Sequence, residues 1–342
     1  ANAALVSETV TVNYELGPFG ADNRANMDTI FHFGQPVILN GANVAWSADS
    51  VDWYNRDIGT ADEFGLPRTN IDSFRAHFAS VARLGGNSAR IWLHTASTVT
   101  PAIDASGTVT GLSRDLTDEQ VVEQVEGILD AAWEKGILVT FNLFSFNMVC
   151  DINQPVRAKA MLENNFQSYI DEALTPLVSG VKDHPALFAW DVFNEPEGME
   201  MANLFCPSTE TVTLETVQQV VNRTAAAIHK LDPNVKVTTS THTEYFDRFS
   251  NSTLAMIPGF IQNGTIDFYS LHWYVGWMVS PFDTMVVDFN GDRPIIVGEY
   301  SPDDAGAAPA PTESIRTLIG NGYKGAWPWS LTTGDEAQIV NT

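Results

Sequence analysis

A (β/α)8 TIM barrel, within the α/β class, is the fold this 342-residue sequence predicts, and three observations predict it. Short apolar runs alternate with longer amphipathic stretches, and there are eight such runs. The runs are apolar throughout, as parallel strands buried on both faces are. An open doubly wound sheet would place a Gly-rich phosphate loop after an early strand, whereas here Gly85 and Gly86 precede a strand.

Taken in order, the strands fall at Val37–Asn43, Ser88–Leu93, Ile137–Leu143, Leu187–Phe193, Val235–Ser240, Ile266–His272, Pro294–Tyr300 and Tyr323–Trp329. Helical patterns at Ile71–Leu84, Asp118–Lys135, Ala158–Val181 and Leu214–Leu231 lie between them. Asp115 and Asp118 make an acidic start to the second helix, and Gly85 and Gly136 act as stop signals. Residues 1–30, with alternating Val and Thr in SETVTVNYELG, read as a short N-terminal β extension packed on the barrel, and residues 31–342 as the catalytic barrel. Only 13 residues follow Trp329, so the eighth helix is expected to be truncated or very short. The segment DDAGAAPAPT after Glu299 reads as a flexible loop on the ligand side.

Hydrophobic residues at 44% supply material for one large core. The net charge of -24, from 42 acidic and 18 basic residues, repels phosphates and anionic lipid surfaces, which excludes nucleic acid and anionic polysaccharide as partners. No run of 18 apolar residues occurs, and the opening ANAALVSETV lacks the blocks of a signal peptide; its small residues fit either a mature form freed of its leader or an engineered start. The expected protein is secreted, extracellular and monomeric, with no membrane segment and no cofactor. Glycosylation sequons begin at Asn222, Asn251 and Asn263. Cys150 and Cys206 are the only cysteines, too few for a structural zinc site, and they leave one disulfide or two free thiols. Both follow strand ends on adjacent loops of one barrel face, so a disulfide is expected.

The stretch WDVFNEPEG, Trp190–Gly198, carries a core strand into an amide, a carboxylate and a proline. Pro196 cannot donate to a ladder, so the strand ends near Asn194 and leaves Glu195 at its carboxyl end. In a barrel of this kind that end carries the chemistry. The other strands deliver Asn43, Arg90 and His94, Asn142, His242, His272 and Tyr274, Glu299, and Trp329 to the same face. Glu195 and Glu299 are far apart in sequence but meet when the barrel closes. Two carboxylates flanking one bond are what glycoside hydrolysis requires, and no metal-ligand spacing, nucleophile elbow or phosphate loop competes with them.

With PIIVGEY, ARIWLH, LHWY and AWPWS, the stretch WDVFNEPEG resembles glycoside hydrolase family 5, within the clan of retaining barrel glycosidases, over about Phe31 to Thr332. The resemblance implies Glu195 as acid/base and Glu299 as nucleophile, with Asn194 on the sugar 2-hydroxyl and Arg90 beneath the nucleophile. It also implies His272 and Tyr274 as the strand-6 pair and Trp329 as the platform under the sugar. The segment GNSARIWLH is similar to the mannanase branch. That makes mannan or glucomannan the first expected substrate, β-1,4-glucan the second, and a non-catalytic carbohydrate-binding barrel a remote third.

Arg90 is expected to hold Glu299 ionised, and a water-poor site to raise the pKa of Glu195. His94, Trp46, Trp92, Trp273 and Trp277, near strand ends, are further candidates for substrate contact, because sugar faces stack on aromatic rings. Trp133 and Trp190 are expected in the core.

Overall fold

The structure is a computed structural model that describes residues 29–45, 58–62, 64–95, 97–150, 155–200, 210–276, 279–289, 291–302 and 311–331. Eight parallel strands close into a barrel: β1 (Leu39–Val44), β2 (Ser88–Trp92), β3 (Leu138–Ser145), β4 (Leu187–Asn194), β5 (Lys236–His242), β6 (Tyr269–Trp273), β7 (Ile295–Tyr300) and β8 (Gly325–Ala326). Each strand pairs with its sequence neighbours, and β8 returns to β1 through Gly325↔Leu39 and Ala326↔Asn40. The expected (β/α)8 barrel is therefore the fold. Only the last strand departs far from its expected length, since two residues of Tyr323–Trp329 make ladder pairs.

Side chains alternate across the barrel wall, as the strand period dictates. On β2, Ala89 and Ile91 join the apolar layer under the helices, while Arg90 turns inward. The barrel–helix layer holds the main core, where Phe141 of β3 stacks on Trp190 of β4 at 5.6 Å. Gly41 and Gly325 allow the strands flanking the seam to approach, since a Cβ at Gly41 would lie 1.6 Å from the Ser88 carbonyl oxygen and one at Gly325 would lie 2.3 Å from that of Leu39.

The helices start where their capping residues place them. Asn70 accepts from Ser73 N ahead of Ile71–Arg83. Thr117 and Gln120 form a capping box on Asp118–Trp133, and Thr213 caps Leu214–Leu231. The third helical region runs from Pro155 to Val181 and is interrupted by π-helical turns at Met161–Asn165 and Ile170–Leu174.

An antiparallel hairpin, Ile30–His32 with Gln35–Val37, lies at the amino-terminal floor, where Ile30, Leu39, Phe188, Phe268, Ile296 and Trp327 pack together. A second hairpin, Ala102–Ile103 with Val109–Gly111, follows β2. It is too short to show as an apolar run.

Trp133 is not a core residue. It is 56% exposed, because the buried stripe of its helix runs through Val121, Val125, Ile128, Leu129 and Ala132 and leaves position 133 on the solvent side. Asn222 and Asn251 are buried, and their amides donate to the carbonyls of Ile261, Gly264 and Ile266. Asn263 is the exposed sequon. No helix among the described residues is long and apolar enough to cross a membrane. Residues 1–28 and 332–342 lie outside the described residues, and with them the N-terminal extension and the last helix. So do Trp46, Trp277, Cys206 and the side chain of Cys150, and with them the disulfide.

Candidate active site

Glu195 follows β4 with a backbone φ of +51°, a left-handed conformation that non-glycine residues seldom adopt. Its N–H still donates to the Ser240 carbonyl of β5 at 2.9 Å, so the strand stops pairing only at Pro196. The short helix Glu197–Glu200 then packs Gly198 against Phe146, where a Cβ would come within 2.7 Å of the ring. These constraints fix the turn that aims Glu195 over the barrel mouth.

Arg90 organises the floor of the site. Its Nη1 donates to Glu299 Oε1 at 2.7 Å, and Nη2 donates to Asn194 Oδ1 at 2.9 Å. Nε and Nη2 both reach Asp191 Oδ2, at 2.8 and 2.7 Å, and Nη1 lies 3.3 Å from Asn43 Oδ1. The guanidinium also lies over the Trp92 ring, 4.3 Å from its centroid. Tyr274 donates its hydroxyl to Glu299 Oε2 at 3.0 Å, so both oxygens of Glu299 are held. His272 Nδ1 lies 2.9 Å from Glu195 Oε1 and 3.5 Å from Glu299 Oε2, bridging the two carboxylates. Trp92 meets Trp329 edge-on at 5.4 Å, and Trp329 keeps part of its surface exposed.

One carboxylate oxygen from each of Glu195 and Glu299 and a nitrogen of His272 all lie within 4.8 Å of one another. Such a triangle has the spacing of a cation site, but Arg90 already occupies Glu299 with a positive charge. The arrangement suits two opposed carboxyl groups working on one bond.

Burial raises the pKa of both carboxyls, and their neighbours oppose it to different extents. At Glu299 burial raises the pKa and outweighs the opposing charges of His272 and Arg90. At Glu195 burial also pushes the pKa up, but the hydrogen bonds and charges of His242 and His272 overcome it and leave the pKa lowered.

His242, at the end of β5, has its Nε2 3.7 Å from Glu195 Oε1. Burial lowers its pKa, but hydrogen bonding and charge from Glu195, then the charges of Glu197 and Glu244, raise it overall. Glu197 is fully buried, and burial pushes its pKa up to about 8.

Three residues from the sequence list stand away from this cluster or play another part. His94 is buried between Phe144 and Tyr169 in the barrel–helix layer, where burial pushes its pKa down to about 3. Trp273 is buried behind the barrel wall against Phe282, because its neighbour His272 takes the inward position. Trp92 is buried beneath Trp329 and supports that ring. Asp191 was hidden inside an apolar run and Glu197 carried no spacing signal, whereas His242 stands at the mouth where its strand end is expected to deliver it. The residue pattern that could have revealed Asp191 is an acid one strand period from an apolar core residue on each side, in a strand that otherwise reads as fully apolar.

Comparison with known proteins bears on this geometry. The sequence profile of Cellulase (glycosyl hydrolase family 5) matches residues 37–332. A mannan endo-1,4-beta-mannosidase of Mytilus edulis is 29% identical over 327 residues, spanning 87% of this chain and 85% of that protein. The X-ray structure of the Mytilus edulis beta-mannanase superposes with a TM-score of 0.77 at 28% identity, covering 92% of this chain and 93% of the other. The beta-1,4-mannanase of the sea hare Aplysia kurodai gives 0.76 at 28% identity, covering 91% and 93%.

Proposed function

The chain belongs to glycosyl hydrolase family 5, and from that premise we propose that it is a retaining endo-β-1,4-mannanase acting on mannan or glucomannan, with Glu299 as nucleophile and Glu195 as acid/base. The observation that carries this reading is the spacing of the two carboxylates. Oxygens within 4.8 Å leave no room for a water between nucleophile and sugar, as inversion would need.

In the first step a Glu299 oxygen attacks the anomeric carbon, the glycosidic C–O bond breaks, and the proton of Glu195 goes to the leaving oxygen. In the second step water attacks the anomeric carbon, Glu195 takes its proton, and the ester bond to Glu299 breaks. Arg90 and Tyr274 each hold one oxygen of Glu299 and so aim its remaining lone pairs. The raised pKa of Glu299 makes it the more basic nucleophile, while the imidazoles around Glu195 favour its ionised form, which the second step uses as base. His272 Nδ1, 2.9 Å from Glu195 and 3.5 Å from Glu299, couples the two carboxyl groups. Asn194 has its Oδ1 fixed by Arg90, and in this reading its Nδ2 donates to the sugar 2-hydroxyl.

The mannan assignment rests on the likeness to mannanases along nearly the whole chain. A β-1,4-glucanase is the second reading, favoured by the matching family profile, which is described as Cellulase. A polysaccharide substrate cannot cross a membrane, so we also place the enzyme outside the cell, working as a monomer.

The deciding experiment incubates the protein with mannan, glucomannan and carboxymethyl cellulose and follows the first products by NMR. Manno-oligosaccharides released with the β anomer first are expected. An initially α anomer refutes double displacement, and release from carboxymethyl cellulose alone refutes the mannanase assignment.

A further inference from the structure

We propose that Asp191 is a positioning residue of the reaction. It anchors the Arg90 guanidinium through two N–H groups and takes a share of its charge, so that Glu299 receives a single N–H and stays a basic nucleophile. This rests on the reading of Glu299 as nucleophile.

Asp191 and Arg90 have fully buried side chains, and Asp191 Oδ2 accepts from Arg90 Nε at 2.8 Å and Nη2 at 2.7 Å. Glu299 takes only Nη1, at 2.7 Å. One cation thus serves two carboxylates, and among the described residues Arg90 is the one cation in an ion pair with Asp191. The remaining neighbours of Asp191 are neutral. Ser240 Oγ donates to Oδ2 at 2.6 Å and lies 2.9 Å from Ser270 Oγ, while Asn142 Nδ2 reaches the Asp191 backbone carbonyl at 3.4 Å.

A buried ion pair contributes little net stability, because desolvation consumes most of the Coulomb gain, so stability alone does not account for a charge at this position in β4. Its effect on Glu299 is direct. An unshared guanidinium beside a buried carboxylate stabilises the anion and weakens it as a nucleophile. The second carboxylate withdraws part of that stabilisation and also fixes the plane of the fork, so the N–H that reaches Glu299 arrives in one direction. The other groups facing the nucleophile are Glu195 at the end of β4, with His242 beside it, and His272 and Tyr274 from β6. None of them touches Asp191, so a change at 191 reaches Glu299 through Arg90.

The test measures kcat/KM against pH for Asp191→Asn and Ser240→Ala on an aryl manno-oligosaccharide whose good leaving group needs no acid, so that the acid limb reports the nucleophile. Asp191→Asn gives Glu299 the whole guanidinium charge. Its acid limb is expected about one pH unit lower, the shift that one uncompensated opposite charge produces, with kcat reduced several-fold. Ser240→Ala removes a donor from Asp191, makes it lean harder on Arg90, and moves the limb upward.

An acid limb unmoved in a folded Asp191→Asn protein overturns the proposal. Should that variant not fold, an unmoved or lowered limb in Ser240→Ala overturns it. Trapping with a 2-deoxy-2-fluoro manno-oligosaccharide fluoride, followed by peptide mapping, separates the two readings. A label on Glu299 with unmoved limbs removes the role of Asp191 alone, and a label elsewhere removes Glu299 as nucleophile and this proposal with it.

Discussion

Glu197 accepts the backbone N–H of His242 at 3.3 Å, and the imidazole of the same His242 stands 3.7 Å from Glu195. A fully buried carboxyl thus sits directly behind the group that faces Glu195. Burial raises the Glu197 pKa from 4.5 to about 8, with the neighbouring charge of His242 opposing and those of Glu195 and Glu200 assisting. A carboxyl raised on folding binds its proton more tightly in the native state. Its contribution is therefore complete below pH 4.5 and declines as pH rises toward about 8. Glu197→Gln keeps the acceptor without the titration, so its melting temperature relative to wild type should climb between pH 5 and pH 8. Calorimetry across that range checks it, and a flat difference would show that Glu197 is ionised in the native state.

In the proposed mechanism, removing Glu299 and removing Glu195 should have different consequences. Glu299→Ala loses the covalent step and should fall to background on every substrate while remaining folded. Glu195→Ala loses only proton transfer, a cost of about 10²–10⁴-fold on polysaccharide, and should keep activity on aryl glycosides with good leaving groups. Azide should restore the second variant by attacking the glycosyl-enzyme in place of activated water, giving a β-glycosyl azide. Azide acting on the Glu299 variant can give only the inverted α-glycosyl azide, and a β-glycosyl azide from that variant would exchange the two roles.

The edge-on contact of Trp92 with Trp329 predicts a graded effect on binding. Trp329→Ala removes the platform and should raise KM on the order of tenfold, consistent with about 1.5 kcal/mol for an aromatic contact. Trp92→Phe leaves Trp329 in place with a smaller support, so KM should rise by about twofold to threefold with little change in kcat. Steady-state kinetics on one manno-oligosaccharide series decides it, and a larger effect from Trp92→Phe than from Trp329→Ala would contradict the arrangement.

His94 contributes to the acid side of stability. Buried without charge partners between Phe144 and Tyr169, it has a pKa lowered from 6.5 to about 3. The unfolded chain takes up this proton first, so the contribution of a neutral His94 is complete above pH 6.5 and is lost as pH falls toward 3. His94→Phe removes the titration and keeps the ring. Its unfolding free energy should fall less steeply than that of wild type between pH 6 and pH 4, measured by denaturant titration. Identical slopes would place the protonation elsewhere.

The barrel was legible because fully apolar strands and capped amphipathic helices are local signals, and Asn70, Thr117 and Thr213 act where a sequence reader expects caps. Glu195 and Glu299 were legible because a proline ends β4 and a glutamate nearly ends β7. The electrostatics were not, since they depend on cross-barrel neighbours. Asp191 looks like an interruption in an apolar run until Arg90, 101 positions earlier, is seen against it. His94 and Trp273 were misplaced for a simpler reason. Near a strand end the alternation decides which side of the wall a residue faces, and a shift of one position exchanges the mouth for the layer behind it.

The two-residue β8 gives the barrel a seam with little ladder of its own. Asn43 compensates: its Nδ2 reaches the carbonyls of Gly298, Trp327 and Pro328, tying β1 to both β7 and the chain after β8. The same seam carries Trp329. Whatever stacks on that indole therefore braces the weakest closure of the wall, and whatever loosens the closure releases the sugar. If sugar stacks on Trp329, a bound oligosaccharide should slow amide exchange on both sides of the seam, and heat tolerance should rise with its concentration.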